Sequence, residues 1–243
     1  SIDEPELSES SGLAVSRVRD SYFWSHNDSG GKPFLYAINS RGKRTGKIKL
    51  QSTDPIDWED MASFVDQGTP RLLIADCGDN GARRDSITLH LIDEPDPKKS
   101  TTVKNRQIIS VSYIDGPRDC EAVAVDTERR KIILISKSIF PLAGVYVVPL
   151  PKRSDKKSRV HVTAKRIGTI PLPMVTAMDV DPSSGDIHLV SYFQAFRFPC
   201  QQRNMPIARQ LSAIPVAREL PRWRQIEAMA IDKHQDVWVT SEG

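Results

Sequence analysis

"EAVAVDTERRKIILISKS", residues 121–138, reads as two short apolar strands joined by a charged turn. Val and Ile crowd both runs, and β-branched residues suit a pleated, half-buried surface. The pattern returns along the chain. "SGLAVSRVRDSYFWSHND" starts at Ser11, "EDMASFVDQGTPRLLIADCGDN" at Glu59, "TAMDVDPSSGDIHLVSYF" at Thr176 and "EAMAIDKHQDVWVTSEG" at Glu227. Aligned, these segments place Ala14, Ala62, Ala124, Asp179 and Ala230 in one register. The spacings fit a four-stranded repeat of roughly 40–50 residues with loop insertions.

Further strands follow the hairpins. Residues 33–39, 86–92 and 144–150 read as third strands, and residues 44–50, 106–113 and 160–170 as more polar fourth strands. Turn residues such as Asp28-Ser29-Gly30-Gly31, Asp79-Asn80-Gly81 and Pro182-Ser183-Ser184-Gly185 separate them. Helical periodicity is scarce. Residues 205–220 could carry a short helix, but Pro206 and Pro215 interrupt the stretch and Pro221 follows it.

Four strands per unit and a repeated hairpin predict an all-β chain: a β-propeller, five-bladed, built as a single domain over residues 1–243. Small residues suit an innermost strand, where units crowd around an axis. A β-sandwich has no reason to repeat one hairpin five times. The last repeat ends after two strands. Either it stays incomplete, the N-terminal residues Ile2 to Leu7 complete it, or the chain continues past Gly243.

Composition narrows the function classes. The net charge is +3, too small a surplus for a dedicated nucleic-acid binder. Arg129-Arg130-Lys131 and the basic stretch 152–166 flank strands and read as solvated turns. No apolar run approaches the ~20 residues of a membrane-spanning helix. The first residue is not Met, which points to a processed, exported protein, secreted or periplasmic. A monomer is expected. Cys77, Cys120 and Cys200 are too few for a disulfide framework, although a Cys77–Cys120 bridge is geometrically open at neighbouring units.

In an antiparallel hairpin, the start of the first strand and the end of the second share one rim. First-strand starts are Ser11, Glu59, Glu121, Thr176 and Glu227. Second-strand ends are His26-Asn27-Asp28, Asp76 to Asn80, Lys137, Tyr192 and Ser241-Glu242. Carboxylates converging from separate units repel unless a cation, a basic ligand or a proton relieves them. Oxygen-only sets of this kind suit calcium. The candidate metal ligands are a subset of Asp28, Glu59, Asp76, Asp79, Glu121, Glu227 and Glu242. Lys137 is the metal-free alternative, because one ammonium could neutralise part of the ring. The candidate ligand-binding residues are His26, Asn27, Asp28, Asp76, Asp79, Lys137, Tyr192 and Glu242.

Three readings stay open: a purely structural rim serving a protein-interaction platform, a ligand or calcium site, and a hydrolytic site. For the last, His26, Glu59 and Glu121 are the candidate catalytic residues. His26 lacks a recognisable nucleophile, since no GxSxG occurs, and no HxH or HExxH spacing supports zinc. Trp24 and Trp58 could stack on a ring substrate or pack between units. Arg83, Arg84, Arg118 and Lys137 could meet an anion such as phosphate.

Several stretches resemble a group of bacterial β-propeller proteins, distantly similar to the esterase-like phytase and NHL-type propeller families. They are "ESSGLAVSRVRDSYFWSHNDSGGKPFLYAINSRGK", "DWEDMA", "IADCGDN", "CEAVAVD" and "VWVTSEG". The likeness spans Glu9 to Gly243. It implies an exported, calcium-associated propeller and, at its furthest, metal-assisted phosphoester hydrolysis. Glu59, Glu121 and Glu227 match its recurring acidic position; Thr176 departs from it.

Overall fold

A computed structural model describes residues 2–28, 30–138, 140, 142–153, 155, 158–192, 194–221 and 223–241. The first unit is a meander of β1 (Ser10–Val15), β2 (Tyr22–Asn27), β3 (Phe34–Asn39) and β4 (Arg44–Gln51). The second contains β5 (Trp58–Asp66), β6 (Thr69–Asp76) and β7 (Ile87–Asp93). Its chain then detours to add β8 (Thr101–Lys104) in parallel to the outer edge of β4, and returns as β9 (Gln107–Tyr113) beside β7. The third unit has β10 (Cys120–Asp126), β11 (Lys131–Ser136), β12 (Ala143–Pro149) and β13 (Arg159–Ile170). The fourth has β14 (Val175–Val180), β15 (Ile187–Ser191) and β16 (Gln194–Phe198), then helix α1 (Ile207–Leu211) and β17 (Val216–Glu219). The last described pair is β18 (Ile226–Ile231) with β19 (Val237–Ser241).

The innermost strands β1, β5, β10, β14 and β18 pack in ring order, and β18 returns to β1. This radial arrangement of meanders is a β-propeller. Apolar clusters fill the seams between neighbouring units. Ala14, Trp24 and Leu35 meet Trp58, Met61 and Ile74 at the first seam, while Leu13 and Phe23 meet Ala228 and Ala230 where the ring closes. Strand β10 is buried at every position, as an innermost strand with a seam on each face must be. Two buried carboxylates tie inner strands together. Asp60 Oδ2 accepts the amides of Val123 (2.8 Å) and Met178 (3.3 Å). Asp179 Oδ2 accepts that of Ile231 at 2.9 Å. Burial pushes the Asp179 carboxyl up to about 6, against the opposing pull of the Arg17 charge.

The expected third and fourth strands are present, with ends shifted by one residue in most cases. Two features differ. The stretch expected to hold only a broken helix supplies both α1, which ends at the C-cap Ser212, and strand β17, which starts directly after Pro215. The N-terminal segment does not join the last sheet. It lies along the first unit, with Asp3 bridging Lys43 in parallel. Arg44 binds Glu4 (3.0 Å) and Glu6 (2.8 Å), and Lys47 binds Glu6 (2.9 Å), so basic side chains of β4 hold it there. Among the described residues the last sheet has two strands. Among the described residues no helix is long and apolar enough to cross a membrane.

Candidate metal centre at the acidic mouth

Every inner strand carries a β-bulge at one position. Register shifts fall between Ser10 and Gly12, Trp58 and Asp60, Cys120 and Ala122, Val175 and Ala177, and Ile226 and Ala228. The bulged residues are therefore Ser11, Glu59, Glu121, Thr176 and Glu227, the positions aligned from sequence. A bulge leaves one residue unpaired and re-aims its side chain. Where that residue is Ser or Thr, the hydroxyl ties to the next unit: Ser11 Oγ donates to the Glu59 carbonyl (2.8 Å), and Thr176 Oγ1 to that of Ile226 (2.7 Å). Where it is Glu, a carboxylate stands in that place.

Acidic side chains gather around Glu59 in two triads. Asp28, Asp57 and Glu59 each offer an oxygen within 4.8 Å of the others, and so do Glu59, Asp119 and Glu121. Glu59 belongs to both. Neighbouring residues hold the triads in place. The Asp76 carboxylate accepts the amides of Ile56 (2.9 Å) and Asp57 (3.1 Å) and pairs with Arg84 (2.9 Å), which fixes the loop bearing Asp57. Asp119 Oδ1 accepts the Asp79 amide at 2.8 Å. The Asp79 carboxylate is occupied by the amides of Arg83 and Arg84, at 2.9 and 2.8 Å. Gly78 makes the convergence feasible: a Cβ there would lie 2.2 Å from Glu59 Oε1 and 2.4 Å from Asp57 Oδ2.

The charge state follows from this crowding. Burial raises the Glu59 carboxyl far above its usual range, and the charges of Glu121, Asp28, Asp57 and Asp119 add to the rise. Asp57 is lifted to about 6, first by burial and then by Asp28 and Asp119. Burial also raises Glu121, and its ion pair with Lys137 at 3.0 Å offsets only part of that. Burial is the largest single influence on Lys137 and would lower it; the charge and hydrogen bond of Glu121, with Tyr192 and Glu227, together outweigh it and lift the ammonium above its ordinary value. The Lys137 Nζ also sits 5.8 Å from the Tyr192 ring centroid.

Of the residues expected at this mouth, Asp28, Glu59 and Glu121 come together, with Lys137 and Tyr192 beside them. Glu227 acts on Lys137 through its charge but lies outside both triads. Asp76 and Asp79 spend their oxygens on backbone amides and Arg84, so they shape the site from behind. Asn27 binds the N-terminal segment through Glu9 N (3.2 Å) and Glu6 O (2.7 Å). His26 is fully buried below the mouth, edge-on to Trp58 with ring centroids 5.3 Å apart. Its Nδ1 lies 3.0 Å from the Asn27 carbonyl oxygen there. Trp24 and Trp58 pack in the first seam, and Trp24 Nε1 donates to Glu94 at 2.9 Å. Cys77 and Cys120 are free thiols; the Cys77 Sγ donates to the Cys120 carbonyl at 3.0 Å, and the bridge is not formed. Glu242 lies outside the described residues.

Asp57 and Asp119 escaped the sequence reading. A signal was there: "DWE" and "DCE" put an Asp two residues before the bulged Glu in the second and third units. Each Asp lies just before its inner strand begins, two residues ahead of the Glu that the bulge re-aims, and the two carboxylates meet there.

The fold has counterparts among solved structures. A gluconolactonase from Xanthomonas campestris superposes with a TM-score of 0.51 at 8% identity, covering 95% of this chain and 68% of that one. A chain of the nidogen/laminin complex gives 0.52 at 11% identity, covering 95% and 71%. At such identities the likeness establishes the propeller fold alone. No protein-family model and no curated protein matches the chain.

Proposed function

We propose that this chain, read as a five-bladed propeller, binds a divalent cation at the acidic mouth. Asp28, Asp57, Glu59, Asp119 and Glu121 supply the ligands, and the cation is calcium. The carrying observation is the pair of carboxylate triads, with oxygens within 4.8 Å of one another and Glu59 shared between them. Oxygens that each lie about 2.3–2.6 Å from a common calcium ion are separated by up to about 5 Å. The donor set is all oxygen, which favours calcium over zinc. Such a site suits an exported protein, since extracellular calcium saturates even sites with dissociation constants near ~10⁻⁴–10⁻³ M.

Calorimetric titration of calcium into chelator-treated protein tests the reading. Binding that disappears in Glu59→Gln and in Asp57→Asn is the expected result. Heat that survives both substitutions would sink it.

A second reading adds catalysis to the same mouth. Lys137, held 3.0 Å from Glu121, is a cation beside the proposed metal and could orient an anionic substrate. Phosphoester hydrolysis is what the phytase-like resemblance implies, and lactone hydrolysis is the activity of the gluconolactonase neighbour. Calcium-dependent turnover of p-nitrophenyl phosphate or gluconolactone, lost in Lys137→Met, supports an enzyme. Cation binding without turnover supports a ligand site or an interaction platform.

A further inference from the structure

The inner strands start at the acidic mouth and finish at the opposite end of the axis. Where the chain leaves β1, β5, β10 and β14, a cavity of about 210 Å³ opens between four units. Arg17 lines it just after β1, Phe64 near the end of β5, Val125 and Arg129 at the end of β10 and its turn, and Val180 at the end of β14. The two arginines differ in what they hold. Arg129 is fully engaged: Nη1 donates to Asp126 Oδ2 (2.6 Å), and Nη2 donates to Gln210 Oε1 (2.9 Å) and Cys200 Sγ (3.3 Å). Arg17 is engaged only through its amide, which donates to Glu94 Oε2 (2.9 Å), and its Nε, which donates to Ser63 Oγ (3.1 Å). Those two bonds fix its backbone and stem. Among the described residues no carboxylate pairs with it and no acceptor takes its Nη groups. Its charge acts on Asp179 of the fourth unit, so the guanidinium is turned inward over the channel.

We propose that this cavity binds a small monocarboxylate with an apolar body. The Nη1–Nη2 edge of Arg17 presents two parallel N–H groups, the planar fork that matches a carboxylate. Phe64, Val125 and Val180 supply an apolar wall for the body. Arg203 adds positive charge, since its one bond goes to the Ser183 carbonyl at 3.3 Å. The acids of the cavity do not compete for the Arg17 fork. Asp126 is held by Arg129. Asp181 Oδ1 accepts the Ser183 amide (2.8 Å) and hydroxyl (2.7 Å), and its Oδ2 accepts Ser184 Oγ (2.9 Å) and Gln235 Nε2 (2.8 Å). Their charges, with that of Glu128, still repel a multiply charged phosphate more than a single carboxylate. The volume falls below the roughly 300–1,000 Å³ of pockets for drug-sized ligands, so the body is one ring or a short chain. The site is separate from the acidic mouth and needs no calcium.

Cys200 reports occupancy, because it lines the cavity and is partly exposed while Cys77 and Cys120 are buried. Labelling of Cys200 by N-ethylmaleimide is followed by mass spectrometry, with chelator throughout to keep metal from the acidic mouth. Millimolar benzoate or hexanoate is expected to slow labelling at least fivefold, and uncharged benzamide and inorganic phosphate to leave it unchanged. Arg17→Met should abolish the protection. Arg17→Lys keeps the charge but not the fork, and should weaken benzoate binding at least tenfold. Circular dichroism and melting temperature check both variants. Absence of protection by both carboxylates overturns the proposal, as does equal protection by benzamide or phosphate, or protection that survives Arg17→Met. Should Arg17→Met fail to fold, unchanged benzoate binding in Arg17→Lys overturns it instead.

Discussion

Glu59 sits at the intersection of both carboxylate triads, and its surroundings decide what it can hold. Without a cation, burial and four nearby acids keep a proton on it. Replacing that carboxyl with an amide leaves volume and hydrogen bonding nearly intact. Glu59→Gln is therefore expected to melt within a few degrees of the parent in chelator, yet to show no calcium-induced rise in melting temperature. A calcium response equal to the parent's would remove Glu59 from the site. Gly78 gives a complementary test, since it touches the ligands without being one. A methyl group 2.2 Å from Glu59 Oε1 must displace either the carboxylates or the loop. Gly78→Ala is expected to weaken calcium binding at least tenfold, read by calorimetry.

At the scale of elements, the bulge in each inner strand is what converts a repeat into a site. The repeat register was legible because small residues recur at Ala14, Ala62, Ala124 and Ala230, with Asp179 in the same place. The rim positions followed, because strand ends can be counted from that register. Side-chain direction was not legible. His26, Asp76 and Asp79 stand at strand ends as expected, but one turns under Gly12 and the others cap a neighbouring loop. Nothing in a single strand's pattern separates an acid that faces the axis from one that faces its own turn. Likewise β8 leaves its own unit to pair in parallel with β4, and β13, paired with β12 through its C-terminal half, runs parallel to β9 of the neighbouring unit through its N-terminal half, choices governed by tertiary packing. The seam beneath the mouth makes its own prediction. A Cβ at position 12 would fall 2.3 Å from His26 Nε2, and the ring is wedged against Trp58. Gly12→Ala should cost about 1–3 kcal/mol in urea unfolding, the usual range for overpacking a filled core. Adding His26→Ala to it should recover part of that loss, because the clash is with the imidazole.

For the whole molecule, the acidic mouth ties stability to pH, and the proposed cation would act on it in the opposite sense. Asp57 keeps its proton to about 6 in the folded chain, above the ordinary carboxylate range, and Glu59 and Glu121 are raised as well. The folded state thus binds more protons than the unfolded one from roughly pH 4 upward, to about 6 for Asp57, about 7 for Glu121 and well beyond for Glu59, and stability contributed by each group is lost as pH rises through its window. His26 and His90 act the other way. Burial lowers both, so the unfolded chain takes up protons that the folded chain refuses, and stability is lost as pH falls below about 6.5. A cation at the mouth replaces the protons and reverses the first trend. Its stabilisation grows with occupancy, reaching about 2.7 kcal/mol at a hundredfold excess over the dissociation constant. Calcium affinity should then increase with pH across this range, because protons compete for the same oxygens. In thermal melts, the calcium-induced shift is expected to be small at pH 5 and several degrees larger at pH 8, while chelated protein loses stability between those values. A calcium shift that is independent of pH would mean that the ion, if bound, sits on carboxylates other than Asp57, Glu59 and Glu121.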